Sequence, residues 1–339
     1  MTGRATFGAG VLSDTSVRET MANAREAEAL GFDTFWVAED YYYGGAFATA
    51  AAVAATTERI RVGIGVVNPF TRHPAVIAME TAALDAVSGG RILLGLGASN
   101  VRWVEEQMGI PFSRPITATR ECVEIVRRML RGERIAYDGQ AFQLAGVALS
   151  FPAARRDLPI WLGVKGPAAL QAAGAVADGV LLSVLSSVPY LRWAVERIRE
   201  GAEAAGRPPA AIAVASYLLV HLDDDAARAR DALRPIVAHY MGVHYDHPIM
   251  RIAGFSEPDM RPFREALRSR ADATHLVTDE MVDLLAIAGT PAHARERLAA
   301  YLEAGLTHPV AFQVRDVPLG RTLAAVREHL FHPNAARAG

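Results

Sequence analysis

The sequence predicts an α/β fold, a closed (β/α)8 barrel. Three observations carry this. Short β-branched runs alternate with Ala-rich helical segments along the whole chain, eight such runs can be counted, and most are apolar throughout rather than alternating. Strands buried on both faces read this way, as they do in parallel sheets covered by helices. Eight βα alternations close most often into a barrel.

The strands are expected at 6–12, 34–39, 60–67, 92–97, 160–164, 179–182, 212–220 and 310–314. Helices are expected at 17–30, 47–55, 74–87, 117–131, 167–175, 188–205 and 226–241, with two more at 291–304 and 319–330. Pro74, Pro167 and Pro291 stand where a first helical turn should begin, and Gly31, Gly206 and Gly305 where a helix should end. The spacing is uneven in two places. Residues 98–159 exceed one helix, and YDGQAFQLAGVALSF within them reads as a small hairpin. Residues 246–279, with Pro248, Pro258 and Pro262, read as an irregular stretch over the barrel mouth. With no low-complexity linker and no strong repeat, the chain reads as a single domain over 1–339, with insertions near 98–159 and 240–285.

Composition narrows the function. The chain has 339 residues, 51% hydrophobic and 21% charged, enough for a large core. A net charge of −2 gives no field for nucleic acid or an anionic membrane. No apolar run is long enough to span a bilayer, and residues 1–10 lack a long apolar leader. Cys122 is the sole cysteine, so an intrachain disulfide and a thiolate metal cluster are excluded. A cytoplasmic setting and a small-molecule substrate are expected.

In this fold the chemistry gathers where the strands end. The second strand ends in Glu39 and Asp40, followed by Tyr41, Tyr42 and Tyr43. Adjacent strand residues face opposite ways, so only one carboxylate should point into the barrel; the pair reads as Asp40 for proton exchange with Glu39 an orienting acceptor, or as a solvated loop pair or helix cap. The third strand, VGIGVVNPFTRHP, carries Gly63, Gly65 and Asn68; the fourth ends in Gly97, Ala98, Ser99 and Asn100. The fifth leads into Lys165, Gly166 and Pro167, and the sixth into Ser183. The glycines suit the close approach of a flat ring, or equally the packing of barrel side chains. The helix opening at Gly166-Pro167 offers free N–H groups to a phosphate, with Lys165 near. His239, His244 and His247 lie close in sequence, but Gly242 should interrupt their helix, so no metal site is expected. Arg127, Arg128 and Arg131 read as a solvated face. GLGASN is not a complete dinucleotide fingerprint, and no GxSxG occurs.

The segments FDTFWVAED at 32–40, GVVNPFTRHPAVIAMETAALD at 65–85, GGRILLGLGASN at 89–100 and LGVKGPAALQAAGAVADGVLLS at 162–183 together resemble the luciferase-like monooxygenase superfamily. Through NPFTRHP the chain resembles the branch that uses the deazaflavin coenzyme F420, typified by methylenetetrahydromethanopterin reductase. The resemblance implies a barrel with insertions, a non-covalent cofactor across the mouth, and pairing into homodimers. It implies a non-prolyl cis peptide at Gly65-Val66, forming a bulge behind the ring. It places Glu39 and Asn68 at the cofactor, Ala98 and Ser99 along it, and Lys165, Gly166, Ala168 and Ala169 around its phosphate; Gly97 and Ser183 complete the lining. The chain departs from the phosphosugar-oxidising relatives. They carry His in place of Asp40, Glu in place of Asn100 and Lys near Ser186, which argues against a phosphosugar substrate. The activity implied is hydride transfer between C5 of the deazaflavin and a small organic substrate. Two alternatives remain open from the residues: an FMN-dependent monooxygenase activating oxygen on reduced flavin, and a non-catalytic cofactor-binding barrel.

Overall fold

In the computed structural model, which describes residues 6–331, the chain folds in the order the alternation predicts. Residues 1–5 and 332–339, the ends of the expected 1–339 unit and half of the N-terminal segment read for a leader, lie outside the described residues. The first half runs β1 (Gly8–Val11), α1 (Val17–Ala29), β2 (Thr34–Val37), α2 (Ala46–Thr56), β3 (Arg61–Val67), α3 (Pro74–Ser88) and β4 (Ile92–Leu96). A π-helical turn (Arg102–Gln107), α4 (Pro115–Leu130), β5 (Ile135–Asp138) and β6 (Gln143–Val147) follow. Next come β7 (Ile160–Gly163), α5 (Pro167–Val176), β8 (Gly179–Leu182), α6 (Val188–Ala204) and β9 (Ala213–Leu222). The chain continues with α7 (Ala226–Val243), α8 (Pro248–Ile252), α9 (Glu257–Ser269), α10 (Asp279–Leu285), β10 (Ile287–Gly289), α11 (Pro291–Glu303), β11 (His308–Phe312) and α12 (Leu319–Leu330).

Eight strands close on themselves in the order β1-β2-β3-β4-β7-β8-β9-β11, every neighbouring pair parallel. They are the eight expected. The ninth strand of the sheet, β10, is a short addition: β9 runs on past the barrel, and Val220–Leu222 pairs with Ile287–Gly289. Three residues carry too little pattern to be read as a strand in advance.

Large side chains fill the interior opposite glycines. Trp36 of β2 meets Trp161 of β7 edge to face at 5.4 Å, although the two strands are not neighbours, so both rings lie inside. Tyr217 and Phe312 lie with centroids 4.6 Å apart. A Cβ on Gly63 would strike the Trp36 ring, and one on Gly179 the Trp161 ring. Burial of each such aromatic side chain contributes about 1.5–3 kcal/mol, and it requires the neighbouring strand to have no side chain there.

Two of the segments that carry the resemblance also act at the opposite end from the mouth. In GGR, Gly89 caps α3 in the left-handed conformation at φ 67°. Arg91 then donates to the carbonyls of Ala54, Thr57, Ile60 and Ser88, tying α2 and α3 to the strands. In ADG, Asp178 accepts from the Ile160 N–H at 2.9 Å and from Arg127 at 2.6 Å. Arg127 is therefore not on a solvated face, as its helix alone suggests; it locks α4 to the turn before β8.

The expected hairpin forms as β5–β6, antiparallel, and Glu121 of α4 accepts from the N–H groups of Gln140, Ala141 and Phe142 in its turn. The stretch expected to be irregular is helical instead: Pro248 and Pro258 sit in the first turns of α8 and α9, where proline is tolerated. Gly242 does not interrupt α7. A Cβ there would meet the Phe263 carbonyl oxygen at 2.8 Å, so the glycine lets α9 pack closely on α7. Among the described residues, no helix is long and apolar enough to cross a membrane.

Candidate active site

Because every barrel strand runs the same way, the residues following β2, β3, β4, β7 and β8 gather at one end of the barrel. The candidate site residues Glu39, Asp40, Gly65, Val66, Asn68, Gly97, Ala98, Ser99, Lys165, Gly166, Ala168, Ala169 and Ser183 lie at or just after these strand ends. The shape of this mouth starts at β3. Its Gly65-Val66 peptide is cis, as the resemblance implies, and the register to β4 shifts between Ile64 and Val67. The bulge turns Val66 toward β4 and β7, where three glycines receive it. A Cβ on Gly97 would meet Val66 Cγ2 at 2.6 Å, one on Gly163 would meet Cγ1 at 2.9 Å, and one on Gly95 would meet it at 3.0 Å. Of the two readings these glycines allowed, this is the packing one: they make room for the Val66 side chain. Gly65 and Val66 are themselves half-exposed at the mouth, between buried strand neighbours. The Gly65 carbonyl accepts from the Tyr217 hydroxyl at 3.4 Å across the barrel.

β2 ends at Val37, earlier than expected, so Glu39 and Asp40 stand in the loop after it; they nevertheless divide in role. Glu39 has a nearly buried side chain, 6% exposed, with both oxygens in use. One accepts from the Ala46 N–H at 2.9 Å, opening α2, and the other from Arg72. Asp40 accepts a hydrogen bond from Ser13 Oγ at 2.7 Å. Its charge is felt by Lys165, Tyr217, His239 and Tyr240, and so reaches across the mouth. Asn68 is buried, and its amide is engaged locally. Oδ1 accepts from the N–H groups of Phe70 and Thr71 at 2.9 and 3.0 Å, and Nδ2 donates to the Tyr41 hydroxyl. The NPFTRHP segment is thus a self-braced turn that holds Arg72 on Glu39. Tyr41 also packs edge to face on Trp103 at 5.6 Å, forming an aromatic wall on one side.

On the other side, Ser99 has a left-handed backbone at φ 66°, and its Oγ is buried with no partner. Lys165 is partly exposed, but enough water is removed to lower its pKa to about 8, with Asp40 opposing the shift. The Lys165 carbonyl is held by the Tyr190 hydroxyl at 2.8 Å. Gly166 opens α5 without a side-chain cap, and nothing lies within 4 Å of the place its Cβ would take. Ala168 and Ala169 supply N–H groups of the first turn beside that opening.

Sequence reasoning missed one group. Ser183 Oγ lies 3.2 Å from His244 Nε2. His244 is buried, and loss of water, with Lys165 and His247 nearby, holds its pKa well below the usual histidine range. It is neutral, and its Nδ1 is buried with no partner. His247 is lowered to about 4, first by burial and then by Lys165. The spacing of His239, His244 and His247 was visible, but not that the end of α7 would bring them to the mouth.

Comparison with known proteins agrees with this geometry. The family model for luciferase-like monooxygenases matches residues 4–308. The chain belongs to the luciferase-like monooxygenase family. It is 34% identical to the 5,10-methylenetetrahydromethanopterin reductase of Methanolobus tindarius over 90% of this chain and 93% of that protein. The structure of the coenzyme F420 dependent tetrahydromethanopterin reductase from Methanopyrus kandleri superposes with a TM-score of 0.86 at 28% identity, covering 96% and 98% of the two chains. A monooxygenase from Streptomyces bottropensis shares the fold, with a TM-score of 0.74 at 23% identity over 96% and 98% of the chains.

Proposed function

We propose that this luciferase-like protein is a coenzyme F420-dependent oxidoreductase, acting on a small organic substrate at the barrel mouth. The observation that carries the reading is the pairing of an open, uncapped helix N-terminus at Gly166 with the half-exposed bulge at Gly65-Val66 on one face. The first suits a phosphate and the second the back of a flat ring. Ser99, with a buried and unpartnered hydroxyl, adds a polar contact between them. Deazaflavin is favoured over FMN by the similarity to the F420-dependent reductase, whereas the monooxygenase supports a shared fold alone.

When bound, the cofactor would supply or accept a hydride at C5. The chain's own residues do the rest. Gly166, Ala168 and Ala169 would hold the phosphate through N–H groups, with Ala98, Ser99 and Ser183 lining the ring's other edges. Val66, seated on Gly95, Gly97 and Gly163, gives the ring a fixed backing. Glu39 and Asn68 brace the loops that carry Arg72 and Tyr41. Asp40, held by Ser13, is placed to govern proton exchange at the substrate, directly or through a neighbouring group. The aromatic wall of Tyr41 and Trp103 keeps water from the reacting atoms. We also propose a homodimer and a cytoplasmic setting. Val76, Met79 and Val87 lie exposed on the outer face of α3, a surface suited to a second copy.

The test is anaerobic mixing of the protein and reduced deazaflavin with a panel of small ketones and imines. Cofactor oxidation in the complete absence of oxygen is expected for at least one compound. A reaction that proceeds only with oxygen and reduced FMN would assign the site to the monooxygenases.

A further inference from the structure

Lys165 is the only lysine among the chain's 339 residues; the remaining 34 of its 35 Lys and Arg side chains are arginine. The chain therefore uses guanidinium wherever a permanent cation suffices: on Glu39, Asp85, Asp178 and Asp283 each partner is an arginine. A guanidinium cannot lose its proton near neutral pH, whereas an ammonium deprived of water can. Among the Lys and Arg side chains, the one with a readily released proton lies just past the end of β7, at the mouth.

The surroundings of Lys165 are specific. Its carbonyl is fixed by Tyr190, so the side chain starts from a rigid backbone. The described residues give its ammonium no hydrogen-bond or ion-pair partner. Asp40 faces it from the end of β2, beyond ion-pair distance yet close enough to favour the charged form. His244 and His247, from the end of α7 and the segment after it, also lie near enough to sense its charge. Both are held neutral, so neither competes as a cation. Ser183 links this pair to the barrel through its contact with His244.

We propose that Lys165 is the catalytic acid of the mouth, giving its Nζ proton to the nitrogen or oxygen of a C=N or C=O bond whose carbon accepts the hydride. This rests on the hydride-transfer reading above and refines it: Asp40 acts on the proton by keeping Lys165 charged. In the reducing direction the substrate carbon gains a hydride from the reduced deazaflavin, which is thereby oxidised, and the substrate heteroatom gains the proton as the π bond is lost. Neutral Lys165 is re-protonated from solvent, which also receives the proton released with cofactor oxidation. In the oxidising direction neutral Lys165 removes the proton from an amine or alcohol. The substrate class is therefore an imine–amine or carbonyl–alcohol pair rather than an isolated carbon–carbon double bond.

A chain with one ε-amine permits a direct test without substrate or cofactor. Acylation by acetic anhydride, followed by mass spectrometry of the Lys165 peptide across pH, reads its ionisation alone. The expected midpoint is about 8 in the wild type, moving lower in Asp40→Asn. A midpoint at the ordinary lysine value, or none of that movement, overturns the proposal. A second arm separates an acid from a fixed charge. Lys165→Met and Lys165→Arg should each keep deazaflavin affinity within about threefold and lose about 100-fold or more in turnover. Rescue of turnover by arginine, or a tenfold loss of cofactor affinity in Lys165→Met, would make Lys165 an anion anchor and overturn the acid role. Failure of the wild type to bind deazaflavin would remove the hydride-transfer reading while leaving the acylation result standing.

Discussion

Glu39 and Asp40 show how much a shift of one residue along the chain decides. Glu39 has both oxygens engaged, by Ala46 and Arg72. Asp40 is held by the single hydroxyl of Ser13, and its field reaches Lys165, Tyr217 and Tyr240 across the mouth. Replacing Asp40 by Ala is expected to lower turnover by about 100-fold or more while leaving the deazaflavin dissociation constant within a few-fold; a fluorescence titration beside steady-state rates checks both. That a carboxylate would face the mouth was legible from its place just after a strand, although the strand itself ends at Val37. Which partner would occupy Glu39 was not, because Arg72 is 33 positions away and meets it only after the turn braced by Asn68 has formed. The same holds for Arg91, whose role depends on the carbonyls of Ala54, Thr57 and Ile60, 31 to 37 positions away.

Histidines define a pH dependence at this scale. His308, beside Trp161 at 5.3 Å, and His247 are each lowered to about 4, in both cases chiefly by burial. Unfolded histidine titrates near 6.5. Between about 6.5 and 4 the unfolded chain therefore binds more protons than the folded one, and stability falls as pH falls through that window. Thermal unfolding is expected to show this slope, and it should flatten in the His247→Gln, His308→Gln double variant. An unchanged slope would show that other groups govern the acid limb.

Among the elements, the strands and their glycines were the most readable part, and the reason for the glycines the least. Gly95 was visible as one of several small residues near a strand end. That a Cβ there would run into the Ile64 carbonyl oxygen follows from the bulge on β3, which no local pattern of β4 reports. Gly95→Ala is expected to destabilise the fold by about 1–3 kcal/mol and to weaken cofactor binding, because Val66 must shift. The insertion after β4 is anchored by a different device. Arg155 donates to Asp85, which is 1% exposed, through Nε at 3.0 Å and Nη2 at 2.5 Å, and also to the Ile92 carbonyl. Asp85→Ala leaves that guanidinium without its carboxylate and should cost about 3–5 kcal/mol, read as a drop in the urea midpoint at unchanged slope. The α8–α10 region was misread as irregular since prolines that open helices resemble prolines that break them when only their spacing is seen.

For the whole molecule, closure of eight parallel strands was legible because alternation repeats along the entire chain. The mouth was legible as a place, since all strand C-termini of such a barrel share one end. The contents of the mouth were half legible. Residues that follow strands could be named, but His244 enters from α7 and owes its position to the packing of α7 along the extended β9. The outer surface makes a separate prediction. If two copies meet on α3, then Val87→Arg, at a side chain 60% exposed, should leave the fold intact and shift light-scattering mass from dimer to monomer.

The central claim is that this mouth takes a deazaflavin. Equilibrium titration of the purified protein with coenzyme F420 and with FMN, in wild type and in Ala168→Asp, tests it most directly. Tight F420 binding with weak FMN binding, and F420 binding reduced at least tenfold by a carboxylate set in the first turn of α5, is the predicted result. Tight FMN binding with no F420 binding would contradict it.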